Sequence, residues 1–392
     1  MARFDFDTLT DRTDSAAAKW ADRTEDEKRA GIVPMSVADM DFSCPPCVIR
    51  ACEQAARHGI YGYTCADERF IQAVKSWMLR RHGLEISPEE ITVIGGVVPG
   101  IALAVRAFTK PGEGVIVQPP VYPPFFSMAE ANGRRLEKNP LLRDASGRYR
   151  MDFDGLERLA SKPDVKLMVL CSPHNPAGRV WTREELERVR NICARNGVTM
   201  VSDEIHSDLV LCGPHTPMLN VDENAVMLIA PSKTFNIPGL QLAVALIRSP
   251  ENRRRFVTEL SSSGHGSVNY FGRAAAVAAY EEGGEWLDEA LEYIGENYRV
   301  LASFFACELP DLTVSPLEGT YLAWVDFRPL GMQKEELDRF LREDCGLILA
   351  PGHIFGKEGE GFERFNLALP RAQLISALDR LGGKIKEIQH AQ

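Results

Sequence analysis

Short apolar runs and longer amphipathic stretches alternate through the middle of the chain. Residues 91–94, 114–117, 166–171, 198–202, 225–230 and 242–247 are runs of four to six mostly aliphatic or β-branched positions. Their length and composition predict buried strands. Between them lie helical patterns. One spans 98–109, with Pro99 near its start, where the missing N–H costs little. Another opens at Thr182-Arg183-Glu184-Glu185, which has capping-box form, and runs to about 196, with Gly197 placed to close it. The succession 166–171, helix, 198–202 is a βαβ unit, so its strands should be parallel.

From 286 the texture changes. A long helical pattern at 286–307 is followed by candidate strands at 312–314, 321–326, 347–350 and 364–367. Helices are expected at 334–342 and from 371. At 392 residues the chain is too long for one core. The expected fold class is α/β. Residues 46–285 would form a large domain around a mostly parallel sheet, and 286–392 a smaller α+β domain. Residues 1–45, too short to fold alone, would join the smaller one.

Composition narrows the function. A net charge of −10 argues against a general nucleic-acid or anionic-membrane surface. No apolar run approaches the roughly 18 residues of a membrane span, and the N-terminus lacks a signal-peptide pattern. Nine scattered cysteines do not form a disulfide framework and fit a reducing cytoplasm. Cys44-Pro45-Pro46-Cys47 has CxxC spacing but neither a βαβ context nor a second CxxC. It reads first as a proline-containing helix start, and a redox role stays open. No HExxH or His/Cys cluster points to a metal.

The chemistry gathers at strand ends. Asn175 follows the run at 166–171, Asp203 closes 198–202, and Ser232-Lys233 follows 225–230. In a parallel α/β sheet such positions line the ligand crevice. A lysine, a carboxylate and an amide delivered together suit pyridoxal 5′-phosphate (PLP). The lysine would carry the cofactor aldehyde, the carboxylate would keep the ring nitrogen protonated, and the amide would meet the ring hydroxyl. Gly96 and Val97 open a helix whose free amides suit a phosphate, with Ser232 adding a hydroxyl. Tyr122, after the second run, could stack on the ring. His206 could reach the ring hydroxyl or order Asp203. Arg364 could hold a substrate carboxylate with both arms of its guanidinium.

These segments, in this order, resemble a fold-type-I PLP enzyme of the aminotransferase class I/II superfamily. Over nearly the whole chain they look most like the C–S β-lyases of the MalY/PatB type. The resemblance is carried by Ser36-Val37-Ala38-Asp39-Met40-Asp41-Phe42, Gly59-Ile60-Tyr61-Gly62-Tyr63, Asn175-Pro176-Ala177-Gly178, Asp203-Glu204-Ile205-His206, Ser232-Lys233-Thr234-Phe235-Asn236 and Glu363-Arg364-Phe365-Asn366. It implies that Lys233 is catalytic, and that Gly96, Val97, Tyr122, Asn175, Asp203, His206 and Ser232 bind PLP. Arg364, with Asn175, would bind the substrate carboxylate. It further implies that Tyr63 reaches the phosphate of a neighbouring subunit in a homodimer. Two departures from the transaminase pattern stand out: His206 where tyrosine is usual, and Gln241 where an arginine usually holds the phosphate. The implied activity is cleavage of cystathionine, cystine or a related S-substituted cysteine to a thiol, pyruvate and ammonia. An aminotransferase on the same fold is the alternative.

Overall fold

The computed structural model describes residues 3–264 and 267–391. A seven-stranded sheet lies at its centre. The strands are β1 (Ile91–Ile94), β2 (Gly114–Val117), β3 (Arg135–Lys138), β4 (Val165–Cys171), β5 (Thr199–Asp203), β6 (Val226–Ile229) and β7 (Ala243–Ile247), in the spatial order β1-β7-β6-β5-β4-β2-β3. The pairs β6–β5, β5–β4, β4–β2 and β2–β3 are parallel. Strand β7 is antiparallel to both neighbours, β6 and β1. The other six strands therefore share one direction and end at one edge. Every residue of β2, β6 and β7 is buried, which is why they read as unbroken apolar runs.

Strand β3 was not expected. Its sequence, Arg-Leu-Glu-Lys, has no apolar run, because an edge strand needs only one paired side. Its inward Glu137 is neutralised by Arg135 and Lys162, each at 2.7 Å.

The helices flanking the sheet include α1 (Pro46–His58), α2 (Glu68–His82), α3 (Val97–Phe108), α4 (Arg183–Arg195) and α5 (Tyr270–Glu282). Pro46 is the first residue of α1, as the helix-start reading of the CxxC segment requires. Burial raises the Cys44 thiol to about 11 and also raises Cys47, which disfavours the reactive thiolate form. Helix α4 starts with the expected capping box: Thr182 Oγ1 accepts from the Glu185 amide, and Glu185 Oε2 accepts from the Thr182 amide. Helix α3 is drawn tightly onto the sheet at Gly100. A Cβ there would lie 2.6 Å from the Ile94 side chain and 3.3 Å from Leu228, so only glycine fits. This contact brings the start of α3 to the carboxyl edge of the sheet.

The second sheet holds β8 (Thr313–Val314), β9 (Leu322–Asp326), β10 (Ala350–Pro351) and β11 (Phe362–Asn366), ordered β8-β9-β11-β10 and antiparallel throughout. Helices α6 (Gly284–Glu308) and α7 (Arg371–Ala391) accompany it. The helix expected over 334–342 is α-helical only over Lys334–Arg339 and continues as a π-turn over Phe340–Asp344. The N-terminal segment joins this part of the molecule. The Met35 amide donates to Ile348, the Asn366 amide to Met35, and the Asp41 amide to Ala368, at 2.8–3.0 Å. Among the described residues no helix is long and apolar enough to cross a membrane.

Candidate active site

The carboxyl ends of β1, β2, β4, β5 and β6 meet the second sheet around a cavity of about 540 Å³. Gly96, Val97, Tyr122, Asn175, Asp203, His206, Ser232, Lys233 and Arg364 all line it. Nine of the ten candidate residues are thus brought together. The tenth, Tyr63, sits in the loop between α1 and α2 and is fully exposed.

Lys233 stands in the one-turn helix Pro231–Thr234 that follows β6. Its Nζ donates to the Ala38 carbonyl at 2.5 Å. Burial lowers its pKa to about 8; Arg364 adds to the effect, while Asp39 and Asp203 oppose it. A minority of the population is then the neutral, nucleophilic amine at neutral pH, and the share rises as the pH becomes mildly basic. Asp203 is the last residue of β5 and pairs in register with Cys171 on β4. Burial, with a smaller contribution from the neighbouring Glu204, raises its carboxyl to about 7. The Ile205 amide at 3.1 Å and the charge of Lys233 pull the other way. Among the described residues no side chain donates to Asp203. A buried carboxylate without such a donor is poised for a cationic N–H from a ligand.

Asn175 and Arg364 bridge the two sheets. Arg364 lies on β11; its Nη1 donates to Asn175 Oδ1 at 3.0 Å and its Nη2 to the Ser36 carbonyl at 2.7 Å. Its guanidinium lies over the Phe355 ring, 4.8 Å from the centroid. Arg364 Nε is buried without a partner, and burial lowers the guanidinium pKa to about 10. His206 is buried, its Nδ1 has no partner, and burial lowers its pKa to about 3, so the ring is neutral. Burial raises the Tyr122 hydroxyl, so it stays protonated. Helix α3 begins at Val97 with no side-chain cap, leaving its first amides to face the cavity beside Ser232.

Several contributors were not singled out from the sequence. The Ser36 and Ala38 carbonyls come from the N-terminal segment, and the Tyr321 hydroxyl joins Lys233 on Ala38 at 2.9 Å. Asn366 and Asn236 hold this segment in place. Asn366 Nδ2 donates to Val37 and Asp39, and Asn236 Nδ2 to Met40 and Phe42. The signal for these contacts is the place of the Ser36–Phe42, Ser232–Asn236 and Glu363–Asn366 stretches within the resemblance, which attaches no role to Ser36, Ala38, Asn236 or Asn366. Phe355 and Leu349 gave no signal, because they sit in ordinary apolar surroundings.

The match to known proteins is extensive. The family model for aminotransferase class I and II covers residues 30–381. The chain belongs to this family. It is 42% identical to the cystathionine β-lyase PatB of Bacillus subtilis, over 96% of this chain and 98% of that protein. It is 33% identical to the protein MalY of Escherichia coli, over 98% of this chain and all of that one. The crystal structure of cystalysin from Treponema denticola, described as containing a pyridoxal 5′-phosphate cofactor, superposes with a TM-score of 0.94 at 36% identity. That match spans 99% of this chain and all of that one. The expected α/β class and the resemblance to the lyase branch are both borne out.

Proposed function

We propose that the chain is a PLP-dependent C–S β-lyase that cleaves S-substituted cysteines, the class to which cystathionine and cystine belong, to a thiol, pyruvate and ammonia. One observation carries this reading: Lys233, partly neutral, and Asp203, which lacks a side-chain donor, are buried in one cavity with the Asn175–Arg364 pair. The similarity to a named cystathionine β-lyase over the full chain supports it.

The residues fit PLP. Lys233 would hold the aldehyde carbon, Asp203 the ring nitrogen, and Asn175 with His206 the side of the ring bearing the hydroxyl. Tyr122 would flank the ring. Gly96, Val97 and Ser232 offer the phosphate amide and hydroxyl donors. When bound, PLP supplies the electron sink for Cα–H and Cβ–S cleavage.

The protein's own work is positional. Arg364 fixes the substrate carboxylate, which orients the Cα–H bond. Lys233, once free, takes the Cα proton at Nζ. The Cβ–S bond breaks with its electron pair on sulfur, and the thiolate takes up a proton. Water then hydrolyses the remaining three-carbon enamine, giving one pyruvate and one ammonia per thiol. Asp203, held ionised by a cationic partner, keeps that partner protonated throughout.

We also take the chain to be organised as a large cofactor-binding domain over 46–285 and a smaller one over 286–392, completed by 1–45. The working form in this reading is a homodimer in which Tyr63 of one subunit reaches the phosphate of the other. The full exposure of that side chain, with Ile60 and Tyr61 beside it also exposed, favours such a contact. The nine unpaired cysteines fit a cytoplasmic enzyme. Assaying thiol and pyruvate from S-substituted cysteines, with and without an added 2-oxo acid, separates this function from transamination. Product without the acid supports the lyase, and strict dependence on it supports an aminotransferase.

A further inference from the structure

Behind the cavity, in the segment after β5, lies a buried carboxylate that the proposed reaction does not use. The Asp208 side chain is 7% exposed. It accepts three hydrogen bonds. His82 Nε2 at 2.7 Å and Trp77 Nε1 at 3.0 Å donate to Oδ1, and Thr234 Oγ1 at 2.8 Å donates to Oδ2. Burial pushes the Asp208 carboxyl up, but these donors together hold it below its ordinary value, so it is ionised.

One of these donors is the residue next to Lys233. The helix Pro231–Thr234 is a single turn, closed by one bond from the Phe235 amide to the Pro231 carbonyl at 2.9 Å. One turn fixes little of its own geometry, so its orientation comes from outside. Thr234 is fully buried on Asp208, and the Phe235 ring meets the Trp77 ring edge-on at 5.4 Å. Two consecutive residues after Lys233 are thus anchored to α2 and to Asp208. Asp208 in turn belongs to the segment that carries Asp203 and His206. That segment is held by the Glu204 amide on the Leu228 carbonyl of β6 at 2.8 Å, and by the Ser207 and Leu209 amides on the Glu204 and His206 carbonyls, both at 2.9 Å. The Asp208–Thr234 bond therefore ties the segment of Asp203 to the turn of Lys233. Those two residues are proposed to hold separate points of one rigid ring, the nitrogen and the aldehyde carbon. A ring of fixed span requires a fixed separation between the groups that grip it.

We propose that Asp208, with Thr234 and His82, is a positioning brace that sets the separation of Lys233 from Asp203 and so the approach of Lys233 Nζ to the reacting carbon. The brace rests on the roles proposed above for Asp203 and Lys233 and acts through them.

Two readouts on the PLP-loaded enzyme test it. The first is steady-state thiol release from S-butylcysteine. The second is the visible circular dichroism of bound PLP, which reports how firmly the ring is held in its chiral surroundings and needs no turnover. Thr234→Val nearly keeps the side chain's volume and removes the donor. It should lower kcat at least tenfold with KM within threefold, and should at least halve the dichroism per bound cofactor. Thr234→Ser, which keeps the hydroxyl, should bring kcat to within threefold of the unaltered enzyme and restore most of the dichroism. His82→Gln, at the far end of the brace, should lower both in the same direction by a smaller factor. Unchanged kcat and dichroism in Thr234→Val, whatever its Tm, would overturn the proposal and leave Asp208 a purely structural residue. If Thr234→Val does not fold, His82→Gln decides by the same two readouts, and no change in either overturns the proposal. Absence of thiol from the unaltered enzyme would instead remove the lyase reading, and the dichroism comparison would still decide the brace.

Discussion

Arg364 and Asn175 touch across the junction of the two sheets, guanidinium Nη1 to amide Oδ1 at 3.0 Å, although 189 positions separate them in sequence. The contact ties the residue proposed to hold the substrate to one proposed to hold the cofactor. Rigid placement of the two relative to each other is what fixes a reacting bond.

The first prediction follows from that pair. Lysine can replace the charge of Arg364 but cannot reach Asn175 and Ser36 together, because it lacks the planar fork. Arg364→Lys should raise KM about 10- to 100-fold for every amino-acid substrate alike, the scale of a lost charge-assisted hydrogen bond. Steady-state kinetics on three substrates of different size check this. A loss confined to one substrate would assign Arg364 to the side chain instead.

Asp203 should trade stability for function. Its folded pKa, about 7, lies above the unfolded value of 3.8. The stability associated with its protonated form is complete below 3.8 and is lost as pH rises through 7. In the cofactor-free protein, ionised Asp203 then costs up to ~4 kcal/mol at pH 8. Asp203→Asn should therefore raise the Tm of the cofactor-free protein by several degrees at pH 8 and by less at pH 5. The same change should lower kcat by several orders of magnitude, ~4 kcal/mol or more in the barrier. Thermal scans at the two pH values and single-turnover kinetics read the two effects.

Lys233 should be the point of attachment. Borohydride reduction of the holoenzyme followed by peptide mapping should place the cofactor on Lys233, and Lys233→Ala should bind PLP reversibly with nearly all turnover lost. Attachment at another lysine would contradict the assignment.

The strand ends were legible because the sheet is. Apolar runs of four to six residues have few uses other than buried strands, and the polar residue that ends each one lies at a common edge when the strands are parallel. That logic places Asn175, Asp203 and Lys233 at one edge of the sheet from the sequence alone. It did not reveal that β7 runs against its neighbours, because an apolar run carries no direction. It missed β3, whose four residues have no apolar pattern. The carbonyls of Ser36 and Ala38 were invisible for another reason: a backbone acceptor has no residue type, and these are delivered by a segment nearly 200 positions from Lys233. The helix expected from 98 begins at Val97, one residue earlier, which leaves the Gly96 assignment unchanged.

Tyr63 tests assembly. Its side chain is fully exposed in the single chain, so removing its hydroxyl should leave Tm of the cofactor-free protein unchanged. If it reaches the phosphate of a second subunit, Tyr63→Phe should weaken PLP retention, and dilution to the monomer should release cofactor in parallel. Equilibrium dialysis beside analytical ultracentrifugation checks both. A monomer that keeps its full cofactor load would rule the contact out.

The most direct measurement is product balance from a single S-substituted cysteine, S-butylcysteine, with PLP-loaded enzyme and no 2-oxo acid present. The account predicts thiol, pyruvate and ammonia in equal amounts over many turnovers. Thiol absent, with amino-group transfer appearing only when a 2-oxo acid is added, would contradict it.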